Sequence, residues 1–386
     1  MPASFITRNN ELIDKYGHLL DNAKHYTGLE RLSMLEENKM AILLDNAVQA
    51  ECRAKGIDYK TFDLTKVEES AQTDTGDIAF MIKTKMAMIG QVFPNMMTRD
   101  IVSVQPIPQP TYKIFYNDFK RGSDGSSLNT DIHDQRNYAN NVEYDPDDPT
   151  AVQTITMELT SEDVSATTKK LKGNVTIEVE QDLMAYHGKA AMGLITGNMG
   201  AELTREWDRT IIADLLSGAT GGTAYFNMTE PNGLTYEDRK YWMETLFEKF
   251  VDVDTAIFKK RFRKTNYMVV PADIAGVIEK IEGFVPDTLN VDQKTIKTGG
   301  RYYSGTLKNR WRVYVDPFID GEILMGYNNP ADWTETSYVF SPYEMAYLSP
   351  EVTNPSTFVK TRAVMSRAAR KVVIGDLLGK VILTTS

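Results

Sequence analysis

The hydrophobic pattern is most regular between Val175 and Gly218. Val175, Ile177 and Val179 alternate with Thr176, Glu178 and Glu180, the period of a strand with one covered face. The period then lengthens. Leu183, His187, Ala190, Leu194, Leu203, Trp207, Ile211 and Leu215 follow at steps of mostly three or four, which predicts a helix from about Gln181 to Leu216. At ~1.5 Å per residue that helix is roughly 54 Å long. This exceeds the usual globular helix, so it predicts a spine that other elements wrap or neighbouring chains flank. Gly218 and the Gly221-Gly222 pair supply the stop. Gly188, Gly193, Gly197 and Gly200 each cost ~1 kcal/mol against alanine inside a helix. They predict a bend in the rod or a close approach by another backbone.

The segments around this spine have their own periods. Leu32 to Ala54 is rich in helix formers and ends at Gly56. Its apolar residues include Met34, Leu35, Met40, Leu43, Leu44, Ala47 and Val48, a face that needs a partner in this chain or another. Residues 57–101 read as extended chain and loop. IVSVQPIPQP is then an extended run punctuated by prolines, and TYKIFYNDF alternates through Tyr112, Ile114 and Tyr116. After a long Gly-, Ser-, Asp-, Asn- and Pro-rich stretch, alternation resumes through Ile155, Met157 and Leu159. Two strands flanking a polar tip predict a long hairpin. A lone two-stranded arm is marginal in water, so it is expected to rest on another subunit. From 219 to 345 the pattern mixes a helix (LTYEDRKYWMETLFEKFVDVDTAIF), a strand (TNYMVVP), a helix (ADIAGVIEKIEG) and strands in RWRVYVDP and EILMGYN. Strands return after 345, where Val359, Thr361 and Ala363 alternate with Lys360, Arg362 and Val364 and are expected to close a sheet beside the spine. The fold class is α+β.

Composition narrows the function. A net charge of −10 argues against a dedicated nucleic-acid binder, which would carry a basic stripe. The single cysteine, Cys52, excludes an intrachain disulfide framework and reads as a small buried hydrophobe. No window approaches ~20 apolar residues and the N-terminus lacks a basic region leading into an apolar core, so neither a membrane span nor a signal peptide is expected.

Candidate chemistry is sparse. His18, His25, His133 and His187 are scattered, and His187 on the spine reads as a partly buried imidazole. Met81, Met86, Met88, Met96 and Met97 read as packing, since no Cys or His accompanies them as metal ligands. The acidic tip (Asp131, Asp134, Asp145, Asp147, Asp148) lacks calcium-loop spacing and reads as solvated. KKRFRK at 259–264 reads as a solvated or inter-subunit salt-bridging face. ATGGTAYF and KTGGRYYSG read as loops without the Lys-Ser/Thr step of a phosphate cradle. No catalytic, cofactor-binding or metal-ligating residues are assigned, and the chain is not expected to be an enzyme.

Four stretches, in order, resemble the major capsid proteins of tailed bacteriophages, particularly the group similar to the T4 major head protein. They are MIGQVFPNMMTRDIVSVQPIPQPTYKIFY (88–116), VTIEVEQDLMAYHG (175–188), AELTREWDRTII (201–212) and NPSTFVKTRAVMSR (354–367). The resemblance implies an HK97-like shell fold. It would place an N-terminal helical segment and arm at 1–100, and an extended loop with flanking strands at 101–173. The spine helix of a peripheral domain would lie at 174–218, an axial domain at 219–345, and a return to the peripheral domain at 346–386. The 111–173 hairpin would lie across a neighbouring subunit. The implied function is a structural subunit that assembles as hexamers and pentamers into a head enclosing double-stranded DNA. Its partners would be itself, scaffold and portal proteins, decoration proteins and the packaged DNA, held without sequence specificity and with no membrane. It would be made in the host cytoplasm and end in the virion. An encapsulin-like compartment shell is the alternative, and a soluble α+β enzyme with a cleft in 219–345 a further one. Larger relatives carry an insertion domain for which this chain is short. Leu35-Glu36-Glu37 fits the loose Leu/Ile-x-Glu site at which relatives lose an N-terminal segment. The expectation here is no cleavage, with the helical N-terminus kept as an interface element.

Overall fold

The computed structural model describes residues 12, 13, 15, 16, 34–55, 92, 96–121, 155–229, 235–287, 301–329 and 336–384. Two sheets and a separate ribbon organise them. The first sheet centres on β13 (Val359–Val372), the late strand read from the alternation at 359–364. β11 (Tyr338–Leu348), β12 (Val352–Thr353) and β4 (Thr167–Thr176) pair antiparallel with it, and β1 (Ser103–Val104) adds in parallel to β11. The second is a seven-stranded mixed sheet, in the order β5 (Gly222–Asn227), β14 (Leu378–Thr384), β10 (Glu322–Gly326), β6 (Tyr267–Pro271), β9 (Trp311–Asp316), β8 (Tyr302–Leu307), β7 (Phe284–Pro286).

The spine is two helices, not one. The expected strand alternation stops at Thr176, and α2 (Ile177–His187) begins at once. Thr176 turns the chain by accepting a hydrogen bond from the Val179 amide, and Glu178 and Glu180 in the first turn suit the positive end of the helix. Gly188 closes α2 in the left-handed region (φ +62°), and α3 (Ala191–Ser217) starts afresh after an extended Ala190. That left-handed cap breaks the rod. Gly193, Gly197 and Gly200 remain inside α3. His187 corrects its expected burial: it is exposed in the last turn of α2.

α3 lies on the first sheet with Met199, Leu203, Trp207, Ile211 and Leu215 buried at helical spacing. Trp207 is completely buried, donates to Ser366 Oγ at 2.9 Å and meets the Phe340 ring at 5.7 Å. Gly173 on β4 permits the approach, since a Cβ there would sit 2.4 Å from Ile195. α1 (Met34–Lys55) buries Met40, Leu43, Leu44, Ala47, Val48 and Cys52 in the same core. The partner for its apolar face is thus this chain, and Asn46 anchors it by donating to the carbonyls of Ile107 and Tyr343 at 3.0 Å each.

A second core fills the larger sheet. α4 (Tyr236–Arg261) places Leu246, Phe250, Val253 and Ile257 against Met268, Val270, Trp311 and Val313, and α5 (Ala272–Ile278) adds Ile274 and Ile278. Thr235 and Asp238 form a capping box at the start of α4.

Strand pairing crosses the linear division of the chain. β11 begins within 219–345 yet belongs to the first sheet, while β14, from the last segment, lies between β5 and β10 of the second. Gly379 makes that insertion possible: a Cβ there would stand 2.4 Å from Val253 of α4. Contiguous segments therefore do not match the sheets.

The ribbon is the expected hairpin stem. β2 (Thr111–Arg121) pairs antiparallel with β3 (Ile155–Ser165), from Thr111↔Ser165 to Arg121↔Ile155. It is rooted where Val164 packs with Ile107, Val339 and Ala369. The acidic tip, residues 57–91 with Met81, Met86 and Met88, and His18, His25 and His133 lie outside the described residues.

Candidate functional site

Among the described residues no three His, Cys, Asp or Glu side chains cluster as metal ligands would, and no helix is long and apolar enough to cross a membrane. Cys52 is buried and His187 is exposed on the surface. Met96 and Met97 are core residues. Gly221 of the ATGGTAYF turn is filled by the chain's own backbone: a Cβ would fall 2.4 Å from the Asp376 carbonyl oxygen and 2.7 Å from that of Leu378. Of KKRFRK, Lys260 donates to the Thr220 carbonyl at 2.7 Å and Arg261 pairs with Asp376 at 3.1 Å. This part of the basic run works within the chain, against the reading of a free or inter-subunit face.

What the fold builds instead is a joint between its two sheets and surfaces that project from them. Asp208, on α3, is 1% exposed. Its carboxylate accepts from the Thr98 hydroxyl at 2.6 Å and from the Met97 and Thr98 amides at 3.2 Å each. Arg301, at the entry to β8, faces it at 3.8 Å and pairs with Asp316 at the end of β9 at 3.0 Å. Arg301 and Asp316 are also 1% exposed. Burial lifts the Asp208 carboxyl above the ordinary carboxylate range, while the Thr98 and Met97 bonds and the Arg301 charge oppose that rise. One carboxylate therefore bridges the spine, the turn Thr98–Asp100 and the larger sheet, beside the apolar core in which Leu203 and Trp207 of α3 and Tyr267, Val269 and Leu324 of that sheet are all buried.

A second link ties α3 to the first sheet. Asp214 accepts from Tyr338 Oη and pairs with Arg370, both at 2.8 Å. Burial, then the Asp214 charge, raises the Tyr338 pKa. Within the larger sheet, Asp254 on α4 pairs with Arg310 and accepts from the Thr265 amide and hydroxyl at 2.7 Å each.

Asp208 and Arg301 were not singled out by motif. Asp208 did carry a signal, lying four residues after buried Thr204 and three before buried Ile211, on the apolar side of the helix. Arg301 had none; it follows a glycine pair that reads as a loop.

The projecting surfaces are the β2–β3 ribbon and α2. Lys113 and Asp163 make a loose ion pair of 3.9 Å across the ribbon, both well exposed. On α2 and the start of α3, Val179, Met184, Tyr186 and Leu194 are exposed.

The family described as major capsid protein Gp23 matches residues 118–380, well over half of the chain. The major capsid protein of Serratia phage KSP90 is 27% identical over 192 residues, covering 47% of this chain and 42% of that protein. That of Salmonella phage ViI is 24% identical over 210 residues, covering 52% and 48%. The chain thus matches about half the length of these curated relatives. A solved chain from Mycobacterium phage Bobi is similar with a TM-score of 0.47 at 10% identity, covering 75% of this chain and 91% of that one. The chain belongs to the Gp23 major capsid protein family.

Proposed function

We propose that this chain is the repeating structural subunit of a phage head, assembling with itself as hexamers and pentamers around double-stranded DNA. The family match over residues 118–380 carries the reading. An α+β framework without a convergent polar cleft among its described residues supports it, as does a two-stranded ribbon that gains stability when it lies on another surface. In this reading the layout is HK97-like. The first sheet with α3 forms the peripheral domain, the larger sheet with α4 and α5 forms the axial domain, and the 111–173 ribbon reaches a neighbouring subunit. Scaffold, portal and decoration proteins are the further partners, and the virion is the destination. The net charge of −10 suits a container that releases its genome, since each phosphate contact needs a cation. The role is structural and not catalytic.

The test is quantitative protein analysis of tail-free heads from the phage that encodes the chain. It should be the most abundant protein of the shell. A chain absent from those heads, or present at the level of a minor component, overturns the reading.

A further inference from the structure

None of the residues of α2 is buried, although a helix of this length is marginal on its own. It is held by its Thr176 cap, by Leu183 against Val175 and Met192, and by Lys360, which pairs with Glu180 and Glu351. Val179 and Tyr186, seven residues apart on one stripe, remain exposed, Tyr186 by 82%. Near the start of α2, where Val359 pairs with Thr176, β12 exposes Val352 by 60% and the turn into β13 exposes Phe358 by 61%. Phe358 sits at φ +53°, a region that a bulky side chain enters only with strain. The strained backbone holds an aromatic ring out in water.

The charges near this corner come in two complementary sets. Glu178 and Asp182 are exposed on α2. Lys169 and Gly173 of β4 face α3, so Lys170 and Lys172 project from the opposite face of the sheet, and both are exposed. None of these four has an ion-pair partner among the described residues.

We propose that this corner is a contact between copies of this chain. The Val179–Tyr186 stripe and Phe358 are covered by a second copy, whose Lys170 and Lys172 meet Glu178 and Asp182. The occupant is a second copy because one chain carries both halves of the charge pattern on different faces. Such a heterologous contact leaves each copy with a free half to repeat it, as a closed ring requires. The proposal rests on the shell-subunit reading and names a surface for it.

The test uses the full chain expressed with the head proteins of its phage, read by sedimentation and electron microscopy, with thermal melts of the unassembled subunit. The K170E/K172E variant changes only exposed side chains. It should melt as the wild type does and lose shells, and so should V179S/Y186S. Adding E178K and D182K to K170E/K172E should restore shells by reversing every contact at once. Shells formed as readily by K170E/K172E or by V179S/Y186S as by the wild type overturn the proposal, and so does failure to recover them by a fourfold reversal that melts as the wild type does. A wild type that itself stays small in the presence of the head proteins overturns the shell reading, and this surface with it.

Discussion

Asp208 is the buried residue that links α3 to the turn Thr98–Asp100 and to the larger sheet. Its carboxylate serves the Met97–Thr98 turn and faces Arg301 from inside the protein. Removing one partner of a buried pair leaves the other uncompensated, at a cost of about 3–5 kcal/mol. Asp208→Ala should therefore lower unfolding free energy by about that amount, read by urea denaturation. The pH dependence has a defined sign. Because burial raises its folded pKa above 3.8, the folded state holds the proton more tightly than the unfolded chain does. The Asp208 contribution to stability is largest below the unfolded value and is lost as pH rises through the raised one. Urea melts across the acidic range should show that fall in the wild type and less of it in Asp208→Asn. Identical profiles would contradict the assignment. Trp207, one residue earlier, fills the core against Phe340 and Ser366, and Trp207→Ala should cost about 3–5 kcal/mol. The burial of both residues is legible from their phase on the helix. Their partners are not, because contact between distant strands leaves no periodic trace in the sequence.

At the scale of elements, period and turn chemistry locate most of the chain. α1, α4, α5, β6, β9, β10 and β13 lie where the pattern predicts them. The spine shows what pattern cannot resolve. Four glycines were candidates for a bend, and only Gly188 takes a left-handed backbone and ends a helix. Which one does so depends on how α3 seats on β4 and β13, a tertiary matter. A Cβ at Gly188 would meet nothing within 4 Å, so Gly188→Ala tests the backbone alone. It should destabilise by about 1 kcal/mol and speed hydrogen exchange in α2 more than in α3. Equal exchange in both helices would mean that they act as one rod. Sheet membership was the other unread feature. The return to strands after 345 covers β14, but its place beside β5 is not read from the sequence; there Gly379 fits closely beneath Val253 of α4. The ribbon carries its own prediction: deleting 122–148 should leave a folded, soluble subunit that forms no stable shells. Normal shells from that deletion would show that the tip is no assembly element.

Among the described residues one apolar core spans α1, α3 and a face of both sheets, a second fills the other face of the larger sheet under α4, and the Asp208–Arg301 pair crosses from α3 to that sheet, while a ribbon and an unburied helix extend from them. This division suits a subunit whose remaining stability is shared with its neighbours. Self-assembly can be read from sedimentation with negative-stain microscopy of the full chain expressed with the head proteins of its phage. Closed shells, tubes or hexamer sheets built from this chain are the expected result. A chain that remains a monomer or dimer in that setting would contradict it.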